Sequence, residues 1–249
     1  MIIFGINAVG EALRAGRVLS LHVGARKDRR IEELLAQARG RDVRVERVDT
    51  VMLDRMAGGG RHQGVVGTVQ VPPARALEDL IDREQPSLIV VLDGIEDPQN
   101  VGAILRTVDA AGGRGLVRQL RRAAPLGGAA AKASAGAVAH VPVADVVNIA
   151  RALQELKQLG LWIVGLEGRA TTPYDVVDLT QPTALVLGSE RRGMRRLVRE
   201  QCDYVVSIPM SGQVESLNVS VAAGVVLFEA HRQRRRQGTA PVPAARKAR

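Results

Sequence analysis

The sequence is poor in aromatic residues and in cysteine, and each shortage excludes a class of protein. Its 249 residues include two Phe, two Tyr and one Trp, too few for a platform on which bases of single-stranded nucleic acid stack. Cys202 is the single cysteine, which excludes an intramolecular disulfide and favours a reducing compartment. A small secreted domain held together by disulfides is therefore excluded.

Other common signals are also missing. No apolar run approaches the roughly 18 residues of a membrane span, and the first residues lack the basic start and apolar stretch of a signal peptide. The four histidines are scattered and do not match zinc-ligand spacing. No Gly-x-Gly-x-x-Gly follows a predicted strand, which disfavours a nicotinamide enzyme. We expect a cytoplasmic protein with no membrane segment and no metal.

The positive charge is concentrated at the C-terminus. The chain carries a net charge of +9, and residues 230–249 hold seven of its 35 Lys and Arg and no Asp or Glu. Clustered basic side chains are typical of a protein that binds a polyanion. A solubilising tail has the same composition. Both interpretations stay open for residues 232–249, which we predict to be a disordered basic tail.

Residues 1–70 predict a small α/β domain. Val18–Val23 is typical of a strand, and Asp28 can cap a helix whose apolar face comprises Ile31, Leu34, Leu35 and Ala38. Val43–Val48 alternates apolar and charged residues, as a half-buried strand does. A last strand is predicted between Gly64 and Gln70. Val71-Pro72-Pro73 cannot lie in a central strand, so residues 71–86 are predicted to be a linker with a helical turn.

Residues 87–231 predict a second, larger α/β domain. Apolar runs of strand length occur at Leu88–Leu92, Leu161–Val164, Ala184–Leu187 and Tyr204–Ile208. Helices between these strands indicate a mainly parallel sheet. One helix is predicted to begin at Asp145 and to end at Gly160. A last helix, Leu217–Glu229, is apolar nearly all round and is expected to be buried.

Three segments of the second domain place polar residues and glycine where an apolar run ends or where a predicted helix begins. The segments are Asp97–Gly102 running on to Arg106, Gly188–Gly193, and Ile208–Pro209 leading to Ser216–Ser220. Parallel α/β sheets carry their sites where strands end in this way.

The spacings within these segments resemble a known family. Asn100-x-Gly102-x-x-x-Arg106, Gly188-x-Glu190-x-x-Gly193, and Ile208-Pro209-Met210 followed by Ser216-Leu217-Asn218-Val219-Ser220 are similar to the three motifs of the SpoU (TrmH-like) RNA ribose 2'-O-methyltransferases, which belong to the SPOUT superfamily. Gly5–Leu13 and His62–Gly64 resemble the small substrate-recognition domain of the ribosomal RNA members. Lys132, Ser134 and Gly136 also match residues of the family. The stretch that precedes them, Pro125–Ala130, is less polar than the corresponding stretch in relatives often is.

The resemblance implies a fold and a cofactor. The expected fold is a C-terminal SPOUT α/β domain with a deep trefoil knot, preceded by a small N-terminal α/β domain that binds RNA. Backbone groups of Gly188, Ile208 and Leu217 are expected to hold the adenine of S-adenosylmethionine. The resemblance also implies a homodimer formed through the C-terminal domain.

The resemblance assigns catalytic roles to Arg106, Asn100, Glu190, Ser216 and Asn218. Arg106 acts on the ribose 2'-hydroxyl, either as a transiently deprotonated base or as a charge that stabilises the developing alkoxide. Asn100 either caps a helix or positions the ribose. Glu190 either orients Arg106 or Asn100 or caps the helix after Gly188. Ser216 is a candidate N-cap of the last helix, with Asn218 in its first turn.

The resulting hypothesis is a methyltransferase that acts on a guanosine ribose in large-subunit (23S) ribosomal RNA. Because aromatic residues are few, arginines would contact the RNA in their place, with Arg26, Arg29, Arg30 and Arg61 as candidates and His62 as a further contact. Two alternatives stay open: a transfer RNA ribose 2'-O-methyltransferase, and a non-catalytic RNA-binding assembly factor with the same fold.

Overall fold

The structure is a computed structural model that describes residues 1–25, 28–70, 75–121 and 123–238. The chain divides into two compact units. The first comprises Met1–Ala74, Glu96–Arg106 and Ala123–Val141, and the second comprises Arg75–Ile95, Thr107–Arg122 and Pro142–Arg249. Two segments from the middle of the chain therefore belong to the same unit as the N-terminal residues. The predicted boundary at Val71–Pro73 lies outside the described residues.

The elements follow one another along the chain as alternating strands and helices. Residues 1–70 form β1 (Ile2–Phe4), α1 (Ile6–Arg14), β2 (Val18–Val23), α2 (Arg29–Arg39), β3 (Arg44–Arg47), α3 (Thr50–Met56) and β4 (Val65–Val69). A 3-10 turn at Glu78–Leu80 then precedes β5 (Leu88–Asp93), α4 (Pro98–Ala110), β6 (Gly115–Gln119), α5 (Gly128–Ala133), β7 (Val143–Val146), α6 (Ile149–Gln158), β8 (Trp162–Leu166), β9 (Thr172–Pro173), β10 (Thr183–Gly188), α7 (Arg196–Arg199), β11 (Tyr204–Ser207) and α8 (Val219–Gln237).

The first unit contains a four-stranded mixed sheet in the order β1-β4-β2-β3. The predicted helix after Asp28 is confirmed as α2, and the Asp28 carboxylate accepts a hydrogen bond from the backbone N–H of Arg30 at 2.9 Å. The predicted apolar face of α2 is buried. The expectation of a half-buried strand at Val43–Val48 is wrong in its burial, because β3 is the edge strand and all of its residues are exposed.

The second unit contains a seven-stranded sheet in the order β7-β6-β5-β10-β8-β11-β9. All of its paired strands are parallel, which confirms the mainly parallel sheet predicted from the alternation of strands and helices. The inner strand β5 is buried along its whole length, which explains its continuous apolar run. Within the described residues, no helix is both long enough and apolar enough to span a membrane.

One helix boundary in the second unit was predicted wrongly. Asp145 lies in β7, and α6 begins later, after its cap Asn148, whose side-chain oxygen accepts from the N–H of Arg151 at 3.1 Å. Asp145 instead pairs with Nε of Arg118 on the neighbouring strand β6 at 2.7 Å. The sequence analysis missed both strands, because their short apolar runs are interrupted by these charged residues.

The last helix is longer and less buried than predicted. α8 continues to Gln237, so the first residues of the predicted tail are helical, while residues 239–249 lie outside the described residues. Val221 and Phe228 are about half exposed, at 53% and 49%. The expectation that α8 is buried all round is therefore wrong, because a second face of the helix carries apolar side chains that the described residues do not cover.

Arg234 anchors the C-terminal end of α8 in the second unit. Its residue is 3% exposed, and its guanidinium donates to the carbonyl oxygens of Leu179 at 2.9 Å, Pro86 at 2.6 Å, Ser87 at 3.2 Å and Gln181 at 2.9 Å. Burial lowers the pKa of Arg234 to about 10, so the side chain stays charged at neutral pH. This one cation therefore joins α8 to four backbone carbonyl groups of the second unit.

Replacing Arg234 with Met should lower the free energy of unfolding by about 3 kcal/mol, because it removes the donor and leaves buried carbonyl groups without it. Urea denaturation, followed by circular dichroism and by the fluorescence of Trp162 in the same unit, measures the change. Arg235→Met is the matched control, since Arg235 is exposed on the same helix turn and should shift stability by less than about 0.5 kcal/mol. Equal stability of the two variants would contradict the anchoring role.

Candidate active site

A groove of about 830 Å³ lies in the second unit where the central strands end. Its walls come from the segments that follow β8, β10 and β11 and from the beginning of α8. Parallel pairing sets this arrangement, because it brings the carboxyl ends of neighbouring strands to one edge and aligns Gly188 of β10 with Asp93 of β5. The volume falls within the range of pockets that hold cofactors and small ligands.

The loop after β10 is a tight turn built on Gly188. The backbone groups of Ser189 and Gly193 exchange hydrogen bonds of 3.1 and 2.8 Å, which folds the chain back on itself. A Cβ atom on Gly188 would overlap the peptide that joins Gly193 to Met194 and would lie 2.7 Å from the Gly193 oxygen. The absence of a side chain at Gly188 is therefore required by the protein's own backbone, which occupies the space that a Cβ atom would fill.

Asn218 connects this turn to α8 through both ends of its amide. The side-chain oxygen accepts from the N–H of Ser220 at 2.9 Å and so caps α8, while the amide nitrogen donates to the Glu190 carboxylate at 3.0 Å. The predicted cap Ser216 is therefore wrong, because the helix begins later. No helix starts directly after Gly188, since α7 begins at Arg196, so the alternative that Glu190 caps a helix is also wrong.

Asp93 fixes the far end of the same loop. Its side chain is fully buried and accepts from the backbone N–H of Arg195 at 2.7 Å and from Nε of Arg195 at 2.6 Å. A charge-assisted hydrogen bond of this kind is stronger than a neutral one. The segment from Gly188 to Arg195 is thus held to β5 at one end and to α8 through Glu190.

The structure brings most of the predicted site residues together. Gly188, Glu190, Ile208, Ser216 and Leu217 line the groove, and Asn218 is bound to Glu190. Asn100 and Arg106 lie on α4, in the part of the chain assigned to the first unit.

The two predicted residues on α4 differ in exposure. Asn100 is 7% exposed, whereas Arg106 is exposed. At the start of α4, Asp97 accepts from the N–H of Gln99 at 3.0 Å. The predicted role of Asn100 as the cap of this helix is therefore wrong. Its other predicted role, ribose positioning, stays a prediction.

Sequence reasoning missed the wall that follows β8. Glu167 and Arg169 line the groove there, and Glu215 lines it ahead of α8. The signal was polar and glycine residues directly after an apolar strand, as in the other segments, since Glu167-Gly168-Arg169 follows β8. With Arg191 and Arg192 on the turn after β10, the walls carry both signs of charge, which suits a zwitterionic ligand.

The cysteine takes no part in this groove chemistry. Cys202 packs near Met194, and burial raises the pKa of its thiol to about 11, so the reactive thiolate is scarce at neutral pH. Among the described residues, no group of three or more His, Cys, Asp and Glu side chains is arranged to hold a metal ion.

Two family models match the chain. The SpoU rRNA Methylase family matches residues 87–228, and the family described as RNA 2'-O ribose methyltransferase substrate binding matches residues 2–74. The second match covers the four-stranded sheet of the first unit, and the first covers the sheet and groove of the second.

Individual proteins give the same picture. The chain is 44% identical over 238 residues to the 23S rRNA (guanosine-2'-O-)-methyltransferase RlmB of Ralstonia nicotianae, with 94% of this chain and 96% of the relative covered. It is also 44% identical to the enzyme of the same name from Pseudomonas syringae pv. tomato, with 93% and 95% covered. A crystal structure of the SpoU methyltransferase AviRb from Streptomyces viridochromogenes with AdoMet superposes with a TM-score of 0.80 at 28% identity, covering 95% of this chain and 91% of that one.

Replacing Gly188 with Ala should destabilise the second unit by about 2 kcal/mol, because the added methyl overlaps backbone atoms that cannot move separately. Urea denaturation measures the change. Gly212→Ala is the matched control, since a Cβ there meets nothing within 4 Å. If both variants unfold at the same urea concentration, the backbone approach at Gly188 does not constrain the turn.

Proposed function

Because the chain belongs to the SpoU rRNA Methylase family, we propose that it transfers a methyl group from S-adenosylmethionine to the 2'-hydroxyl of a guanosine ribose in 23S ribosomal RNA, in the cytoplasm. The observation that carries this proposal is the groove of the second unit, which is lined by two of the three motif segments, the turn from Gly188 to Gly193 and the segment from Ile208 to Leu217. The printed function of two relatives at 44% identity supports the substrate. The match of residues 2–74 to a substrate-binding family supports RNA as the partner.

The groove suits S-adenosylmethionine by size and by lining. Its volume accommodates a ligand of that size. Ile208, Met210 and Leu217 give it an apolar side for the adenine, and Gly188 brings backbone to its surface. We assign the adenine to Gly188, Ile208 and Leu217, and the charged methionine end to the acidic and basic side chains of the remaining walls.

Methyl transfer requires alignment more than covalent help from the protein. When bound, S-adenosylmethionine supplies a methyl group that its sulfonium already makes electrophilic. The chain must hold the ribose oxygen in line with that methyl and exclude water. In this proposal Asn100 and Ser216 orient the ribose, while Glu190 and Asn218, already hydrogen-bonded to each other, keep the wall around it in place.

The reaction also requires activation of the ribose hydroxyl, which is a poor nucleophile until its proton leaves. We assign this role to Arg106. A guanidinium is a very weak base, because it holds its proton tightly in water. A fixed positive charge beside the oxygen lowers the energy of the developing alkoxide without losing its own proton. We therefore propose that Arg106 stabilises the alkoxide and that the proton leaves to water.

RNA binding in this proposal relies on arginine side chains of the first unit. Arg29, Arg30 and Arg61 are exposed, while Arg26 lies outside the described residues. His62 is less suited to the predicted contact, because its Nδ1 accepts from the N–H of Gly64 at 3.0 Å and its Nε2 lies 3.1 Å from the Asp54 carboxylate. Phosphate contacts of this kind predict binding that weakens steeply with salt.

A homodimer is proposed through the uncovered face of α8. Val221 and Phe228 lie seven residues apart on this helix, on the same face, and are 53% and 49% exposed. Apolar side chains grouped on one exposed face mark an interaction surface. A second copy of the chain can cover it symmetrically, with the same face contributed by both partners.

Replacing Arg106 with Ala should lower kcat for methylation of a 23S ribosomal RNA transcript at least about a hundredfold, because the developing negative charge loses its stabilising cation. Cofactor binding, measured by calorimetry, should stay unchanged, since the groove residues are intact. Arg151→Ala is the matched control, because Arg151 is an exposed arginine on α6 with no part in the groove.

Mass mapping of the product identifies the modified nucleotide. The expected product of the wild-type enzyme is a 2'-O-methylguanosine in 23S ribosomal RNA. Methylation of transfer RNA in its place would overturn the substrate, and cofactor binding without turnover on any RNA would favour an assembly factor. Loss of both cofactor binding and turnover in Arg106→Ala would contradict the catalytic role of Arg106.

Replacing Val221 with Glu should convert the protein from dimer to monomer, because a charge would be buried at the proposed interface. Sedimentation equilibrium measures the association. Val51→Glu is the matched control, since Val51 on α3 is 66% exposed and lies outside the proposed interface. A monomeric wild-type protein, or a Val221→Glu variant that stays dimeric, would exclude this surface.

A further inference from the structure

The segment Ala123–Val141 belongs to the first unit and is packed onto its N-terminal strand. A Cβ on Gly127, the residue before α5, would lie 2.9 Å from the Ile2 carbonyl oxygen, and one on Gly128 would contact the Phe4 ring at 3.6 Å. Lys132 donates to the Arg61 carbonyl at 3.3 Å. The glycines thus allow α5 to sit directly on β1.

The helix that carries Asn100 and Arg106 rests on this same segment. A Cβ on Gly102 of α4 would overlap the carbonyl oxygen of Ala130 and would lie 2.7 Å from the Ala133 side chain. The two helices are therefore in backbone contact at Gly102. No side chain separates the two helices at this point, so a shift of α5 must move α4 as well.

Glu11 of α1 holds the other end of the segment. Its carboxylate lies 3.3 Å from His140 Nε2 and accepts from Nε of Arg14 at 3.2 Å. Gly136, in a left-handed conformation with φ of 100°, packs so closely on the Glu11 side chain that a Cβ would overlap it. The hydrogen bond from Arg14, with a further one from His140, lowers the pKa of Glu11, so the carboxylate is charged at neutral pH.

The buried side chain of Ser134 connects the backbone on both sides of it within the segment that Glu11 contacts. The Ser134 hydroxyl donates to the Ala131 carbonyl at 2.8 Å and accepts from the N–H groups of Gly136 at 3.3 Å and Val138 at 3.4 Å. Ser134 thereby connects α5 to the turn that Glu11 holds. A continuous line of contacts leads from α1, through Gly136 and Ser134, to α5 and on to α4.

We propose that Glu11 is a positioning residue for methyl transfer: it fixes the segment 134–140, and through that segment it sets the position of α4 and of the Asn100 and Arg106 that α4 carries. This inference rests on the proposed function, in which those two residues act on the ribose. It also gives a role to the Gly5–Leu13 motif, which the groove does not use. Loss of the carboxylate frees His140 and the Gly136 turn and lets α4 move relative to its working position.

Kinetics separate positioning from binding and from bulk stability. Glu11→Ala should lower kcat on the 23S ribosomal RNA transcript at least about tenfold, because small displacements of a catalytic group cost rates of this order. The KM for RNA and the calorimetric dissociation constant of S-adenosylmethionine should stay within about twofold, since neither reflects Arg106 alignment. Glu11→Gln should recover most of kcat, because it keeps the side-chain carbons on which Gly136 packs and an oxygen that can accept from His140.

Two further variants complete the experiment. Glu33→Ala is the matched control, since Glu33 is an exposed carboxylate of the same unit that pairs with Arg29 within α2, and it should leave kcat unchanged. His140→Ala removes the other partner of the contact and should lower kcat in the same direction as Glu11→Ala. This variant keeps the test available if Glu11→Ala does not fold.

Hydrogen exchange tests whether Glu11 holds α5 and α4 in place, and it does not require catalysis. Amides of residues 98–106 and 128–139 should exchange faster in Glu11→Ala than in the wild type and in Glu33→Ala. Unchanged exchange in both segments overturns the proposal, and so does a raised KM for RNA with normal kcat, which would make Glu11 an RNA contact. A lower melting temperature with normal kcat also overturns it. A wild-type protein that methylates no RNA would instead refute the proposed function, and exchange would still decide the role of Glu11.

Discussion

The groove depends on one close approach, that of the Gly193–Met194 peptide to the backbone of Gly188. It bends the chain sharply at the end of β10, so that the residues between face the groove instead of continuing into a helix. Asp93 holds the end of the bend through Arg195, and Asn218 holds its middle through Glu190. A backbone contact of this kind is rigid, because it contains no side chain whose rotamer can change.

Rigidity of the cofactor wall matters for a reaction in which the protein supplies alignment and charge. The groove segments are fixed to one another within the second unit, and α8 is anchored at its far end by Arg234. The helix that carries Arg106 is stabilised differently, by its contact with α5 in the first unit.

Much of the fold followed from local pattern. The alternation of apolar runs and helices indicated a parallel sheet, and Asp28 with its apolar helix face predicted α2 closely, because caps and periodicity are local properties. The errors share a cause. β3 is exposed because it lies at a sheet edge, β7 is a strand although Asp145 interrupts it, and α8 keeps an open apolar face. In each case the neighbour that a residue meets, and not its own propensity, decided the outcome.

The sequence by itself determined the family, the residues of the motifs and the positions of most elements, because these depend on residue type and on spacing along the chain. Only the tertiary structure decided that Gly188 accommodates backbone, that Asn218 and not Ser216 caps α8, and that α4 rests on a segment held by Glu11. These facts depend on atoms that lie far apart in sequence, for example more than a hundred residues between Glu11 and His140. Packing brings such atoms together, and no local pattern records their approach.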